Sequence, residues 1–236
     1  MLTHFLLVRQ PIRSDLNQWD FTSILTPCFR LHVSELSVKK QWGIVFGVTN
    51  DPGVSLFRKL QHDWSSIEID YDRLHTLNTQ SMPDWLKEEA KSVLKWAEVE
   101  LQKNTFKRGD YKEMCELLVQ YLGGSVKNFK FKIPGADHHA RWMSKVIYCL
   151  KFALLSDQYI LEPDVMTKIL EWASFQSIIY CKYWFQCPIP VMAPLLDLQY
   201  YGKLLNWKQV SPTQAFSLTK LQRKHLWYLT CDPFFV

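Results

Sequence analysis

The sequence predicts a mainly α-helical fold: one helical domain over residues 1–236, with a few short strands. Three observations carry that prediction. Apolar residues recur at three- and four-residue spacing through most of the chain after Ser34. Helix starts are marked by a polar residue followed by proline at Asp51-Pro52, Glu162-Pro163 and Ser211-Pro212. Hydrophobic residues make up 47% and aromatic residues 14% of the chain, more than a disordered chain carries and enough for a sizeable core.

Residues 1–33 differ from the rest. Thr3 to Val8 reads as a short strand stopped by Pro11, and Leu25 to Val33 as a second strand containing Pro27. Helical spacing begins at Ser34, with Leu36, Lys40 and Ile44 before Gly47. Asp51-Pro52 opens the next helix, with Leu56, Leu60 and Trp64 as its stripe. Residues 65–82 read as loop, with a short strand expected near Asp70, Tyr71 and Asp72. Pro83 opens a longer helix carrying Leu86, Ala90, Val93, Ala97 and Leu101 on one side.

After a basic connection from Lys103 to Gly109, Asp110 and Glu113 read as a capping box. Met114, Leu117, Leu118, Tyr121 and Leu122 supply that helix's buried face, and Gly123-Gly124 ends it. Asp137 then caps a helix whose apolar stripe is His139, Met143, Val146, Ile147, Leu150 and Leu154. Its opposite side is expected to present Arg141, Trp142, Lys145, Tyr148 and Phe152. Glu162-Pro163 starts a helix running to Phe185, Leu195 to Leu205 forms a shorter one after a proline turn, and Ser211-Pro212 opens the last, reaching Leu229.

No stretch is expected to cross a membrane. The longest run without a charge, Tyr183 to Leu196, is too short and contains Pro188, Pro190 and Pro194. The first residues lack the basic start and cleavage site of a signal peptide, so the expected location is intracellular, in the nucleus or cytoplasm. Cys28, Cys115, Cys149, Cys181, Cys187 and Cys231 are accordingly expected as reduced thiols acting as small buried hydrophobes.

Net charge is +5, but residues 101–151 hold ten basic side chains against four acidic ones. That middle third is where an anionic partner would bind. Two elements there suit phosphate. Lys130 and Lys132 alternate with Phe129, Phe131 and Ile133, so an extended segment would put cations on one side and apolar groups on the other. The same pattern also describes an edge strand protected by lysines. Arg141, Trp142 and Lys145, with His138 nearby, form a basic and aromatic face able to neutralise phosphate and stack on a base. Equally, Trp142 belongs to the core and the cations to its rim. Adjacent His138 and His139 point about 100° apart on a helix and do not share a metal. Lys220, Arg223, Lys224 and His225 read as a solvated helix face. The sequence assigns no catalytic residue, no metal ligand and no cofactor.

A longer pattern spans these elements. Tyr121-Leu-Gly-Gly124 is followed by F-K-I-P-G-A-D-H-H-A-R-W-M-S-K-V-I-Y-C-L-K over Phe131 to Lys151, and H-L-W-Y-L-T occupies His225 to Thr230. Upstream lie His32-Val-Ser-Glu-Leu36, Lys39-Lys40 with Trp42, and Phe46-Gly47. Over about residues 30–232 the chain resembles a transposon-derived family related to hAT-type transposases, with residues 1–33 poorly matched and 34–236 family-like. The resemblance implies a ribonuclease-H-like core interrupted by a helical insertion, here as a partial remnant. It also implies metal-dependent DNA strand transfer by three acidic residues, with magnesium or manganese as cofactor only where that activity is retained.

The chain departs from that pattern. Leu31 stands where a histidine is expected, Cys28 is out of register, and the region bearing the first two acids is not matched. Thr230-Cys231-Asp232 replaces a Thr-Glu-Glu pattern, leaving Asp232 as the acidic side chain there. Two-metal chemistry needs several converging carboxylates. The expectation is a truncated, catalytically inactive helical protein with residual DNA binding, led by Arg141. The alternatives are a protein-interaction module or homo-oligomer using exposed apolar surface, and a metal-dependent nuclease.

Overall fold

A computed structural model describes residues 27–47, 55–135, 142–186 and 192–226, with side chains of the first segment from Ser34 onward. The described residues are mainly helical and contain no strand. In chain order the helices are α1 (Pro27–Phe46), α2 (Ser55–Asp63), α3 (Asp84–Lys103), α4 (Gly109–Tyr121), α5 (Trp142–Leu154), α6 (Pro163–Phe175), α7 (Cys181–Gln186), α8 (Ala193–Trp207) and α9 (Pro212–His225). Single 3-10 turns follow α2 at Trp64–Ser66 and stand alone at Tyr71–Arg73.

The strand expectations are corrected. Residues 27–33, expected in a strand, are the first two turns of α1, where Pro27 takes the first helical position, as proline does at other helix starts. The suspected strand near Asp70 is a 3-10 turn in which the Asp70 carboxylate accepts the Asp72 amide at 3.0 Å. The Thr3–Val8 expectation lies outside the described residues. In α1 the stripe is also displaced: Leu36 is 41% exposed, whereas Ser34, Ser37, Val38, Gln41 and Trp42 are buried. A buried face carrying serine and glutamine escapes a search for apolar periodicity.

α5 is central. Eleven of its thirteen residues are buried, including Trp142, Tyr148 and Phe152, which the periodicity placed on the outer side. A helix apolar around most of its circumference is enclosed by neighbours, and α5 packs on α4, α6 and α1. α3 packs on α4, while α9 joins α8 to α1. α3 follows its predicted stripe, burying Leu86, Ala90, Val93 and Ala97.

Local chemistry fixes the ends. Asn104, left-handed at φ 48°, closes α3. Gly123 at φ 85° and Gly124 end α4 as expected, and a Cβ on Gly124 would lie 2.7 Å from Leu94 Cδ1. The terminal carbonyls of α4 and α5 are partly satisfied by the 74–78 connection: the Leu77 amide donates to Tyr121 at 2.7 Å and the His75 amide to Leu154 at 2.9 Å. The predicted capping box at Asp110 does not form. The Asp110 carboxylate instead accepts from the Arg108 guanidinium, and Glu113 pairs with Lys151.

The single helix expected from Asp164 to Phe185 is α6 and α7 joined through a π turn at Gln176–Tyr180, whose five residues are all buried. Gln176 donates to Gln41 at 2.6 Å, Gln41 to Gln214 at 2.9 Å, and Gln214 to Glu171 at 2.7 Å. This amide chain lets α1, α6, the π turn and α9 bury polar side chains together, since buried donors are costly without partners.

Candidate nucleic-acid interface

The two elements singled out for phosphate binding separate in the structure. Trp142 is in the core at 6% exposure, its ring 4.5 Å from that of Trp184 and 5.0 Å from that of Tyr180. It therefore offers no face to a base. Lys145, on the same helix, is half-buried with its ammonium 5.7 Å from the Trp42 ring centre. His138, His139 and Arg141 lie outside the described residues.

The Lys130–Lys132 segment is different. Residues 129–135 form an unpaired strap across α5. It begins after a turn in which Asn128 takes φ 56° and the Phe129 amide donates to Val126 at 3.2 Å. Lys127, Lys130 and Lys132 are exposed, while Phe129 and Phe131 are half-buried. This alternation is the predicted one and marks extended backbone. It stops at Ile133, which is 78% exposed against expectation because the buried Pro134 takes the inward position.

Side chains hold the strap in place. Lys151 is 1% exposed; its ammonium donates to the Lys132 carbonyl at 2.7 Å and pairs with Glu113 at 2.8 Å. It also lies 5.5 Å from the Trp64 ring centre. Burial holds the Lys151 ammonium below the usual lysine range, against the opposing pull of Glu113. Tyr148, one turn earlier on α5, donates to the Gly135 carbonyl. The Lys132 ammonium reaches the Gly109 carbonyl at 3.0 Å, tying the strap to the start of α4.

An aromatic cluster lies beneath the strap. The Phe131 ring is 5.0 Å from Phe129, 5.9 Å from Tyr71 and 6.0 Å from Trp64. The Lys130 ammonium sits 3.9 Å from the Tyr71 ring centre. Tyr71 is positioned by Gln158, whose amide clasps the 3-10 turn: it accepts from the Asp70 amide at 2.8 Å and donates to the carbonyls of Asp70 and Arg73 at 2.9 and 3.0 Å.

No family model matches the chain, and comparison with curated proteins and with solved structures returns no match. The residues themselves carry the functional argument.

Sequence reasoning missed the strap's anchor, although a signal was present. Lys151 follows Ile147 by four residues and precedes Leu154 by three, so it lies on the apolar stripe, where a lysine needs a partner. A second missed group is Tyr183, Asp197 and His225. Asp197 is fully buried, accepting the Tyr183 hydroxyl at 2.9 Å and lying 3.3 Å from His225 Nε2. His225 is thus a core residue, contrary to its expected place on a solvated face, because α9 turns it toward the buried carboxylate of α8. Among the described residues no group of three or more His, Cys, Asp or Glu side chains is arranged to hold a metal ion. No helix among them is long and apolar enough to cross a membrane. Cys115, Cys149 and Cys181 are buried and outside any disulfide, as expected for those three.

Proposed function

We propose that the chain is a transposon-derived, non-catalytic helical protein that binds nucleic acid through the strap lysines Lys130 and Lys132 together with Lys127 in the turn before them. One observation supports this most: exposed cations are aligned on a segment whose other side is fixed to the core, so they are presented together at little ordering cost. The hAT-like origin, with the helices as the remnant of a ribonuclease-H-like transposase, rests on the sequence resemblance over residues 30–232. So does the contribution of Arg141. Lys145 adds charge from α5, whereas Trp142 drops out as a stacking residue.

Fluorescence anisotropy with labelled DNA and RNA at moderate salt tests the reading. The wild-type chain is expected to bind, and the K127E/K130E/K132E variant to lose at least tenfold in affinity while keeping the wild-type far-UV circular dichroism and a cooperative unfolding transition. Unchanged affinity in a folded variant would remove the strap from the function.

A second reading is favoured by α8. Leu195, Leu198 and Leu205 are each about half exposed, at spacing that repeats along a helix seam, and Gly202 between them opens onto empty space. Phe216 of α9 is 71% exposed. We propose this as a protein-interaction face; a concentration-independent monomer by light scattering, unaltered by L198E, would count against self-association there.

A further inference from the structure

We propose that the strap selects single-stranded nucleic acid over duplex, with Tyr71 as the base-stacking residue; this rests on the nucleic-acid reading above and adds the class of ligand. Lys130 is exposed, yet its ammonium lies 3.9 Å from the centre of the Tyr71 ring. Tyr71 is itself half-buried, so part of its ring meets the surface beside Lys130. Tyr71 is held in this orientation by the Gln158 clasp and by Phe129 and Phe131 packed against it at 6.3 and 5.9 Å. The ring is therefore preorganised, and the group now against it is an exposed lysine that a phosphate would pair with more strongly.

The exchange follows from electrostatics. A phosphate within reach of Lys130 draws the ammonium off the ring, because an ion pair replaces a cation–π contact. The vacated face then accepts a base. Lys130 and Lys132 stand two extended residues apart, about 6.6 Å, so both engage successive phosphates of a strand running along the strap. A duplex keeps its bases stacked inside and offers nothing to Tyr71. Among the described residues there is no strand, and so no two-stranded ribbon beside the strap to enter its major groove. Aromatic rings beside tracking cations are the arrangement that holds single strands without sequence preference.

The test compares a labelled 20-nucleotide thymidine oligomer, its uridine counterpart, a 20-base-pair duplex and unlabelled polyphosphate as competitor, all at the same salt concentration. The expected result is at least tenfold tighter binding of the single strands than of the duplex. Tyr71→Leu is expected to weaken single-strand binding about tenfold without changing its salt dependence, since no phosphate contact is lost. Tyr71→Phe keeps the ring and is expected to bind as wild type, which separates loss of stacking from loss of folding. Lys130→Ala is expected to reduce the salt dependence. Equal affinity for duplex and single strand, full displacement by polyphosphate at matched charge, or neutrality of a folded Tyr71→Leu would overturn the proposal while leaving nucleic-acid binding intact. Absence of binding to every probe would overturn both.

Discussion

Removing the countercharge of Lys151 is the most demanding stability test of how the strap is held. Lys151 is 1% exposed and its ammonium has two polar contacts, Glu113 at 2.8 Å and the Lys132 carbonyl at 2.7 Å. In E113Q the ammonium keeps the carbonyl but loses its counterion while still buried. Breaking a buried pair from one side costs about 3–5 kcal/mol, and the lower end applies because the Glu113 side chain retains 14% exposure. In K151M the charge disappears while the stem volume stays. The Lys132 carbonyl loses a donor and Glu113 turns to solvent, for about 1–2 kcal/mol. The double variant K151M/E113Q has no stranded ion and should cost about as much as K151M alone, a coupling of about 3 kcal/mol. Urea unfolding followed by far-UV circular dichroism at pH 7 gives all four corners of the cycle. Limited trypsin digestion should show faster cleavage after Lys127, Lys130 and Lys132 in both single variants. An E113Q cost below about 1 kcal/mol, or additive single changes, would refute the view that the pair anchors the strap.

Other expectations follow from buried groups. Burial, with minor help from Glu100 and Glu116, pushes the Cys115 thiol up from 9.0 to about 12, and burial raises Cys181 as well. A raised folded-state value favours the protonated thiol, so this stability is complete below pH 9 and is lost as pH climbs toward 12. The span corresponds to about 4 kcal/mol for Cys115. Lys151 acts in the opposite sense, adding stability as pH rises toward 10.5, so C115A/C181A should flatten the alkaline loss seen in unfolding curves between pH 9 and 11. Trp142→Ala should destabilise by about 3–5 kcal/mol through the cavity left against Tyr180 and Trp184, yet a folded Trp142→Phe should bind nucleic acid unchanged. Asp197→Ala removes the acceptor of the Tyr183 hydroxyl and the carboxylate beside His225 and should cost about 2–4 kcal/mol in thermal unfolding, whereas surface Asp164→Ala should cost less than about 0.5 kcal/mol.

The helices themselves were legible because their signals are local. Pro83 and the Leu86–Ala97 stripe place α3, Gly123-Gly124 ends α4, and Ser211-Pro212 starts α9. What the sequence hid is tertiary. α5 is surrounded, so its two faces do not differ in burial, and an amphipathic reading misplaced Trp142, Tyr148 and Phe152. α1 buries Ser34, Ser37 and Gln41, whose partner Gln214 lies in α9, far along the chain. Glu113 looked like half of a capping box because Lys151 is thirty-eight residues away. The alternation of Lys130 and Lys132 with Phe129 and Phe131 was readable and recurs in the structure, but its setting was not. Tyr71 and Trp64 come to the strap from an earlier connection, and only the fold brings them beneath it.

The central claim is that the strap lysines bind phosphate, and the salt dependence of binding tests it most directly. For the wild-type chain, the logarithm of affinity should fall linearly with the logarithm of salt concentration. K127A/K130A/K132A should reduce the slope by about 2, from about 0.7 per phosphate contact on a single strand. Binding that ignores salt, or a slope unchanged by the triple substitution in a folded protein, would contradict it.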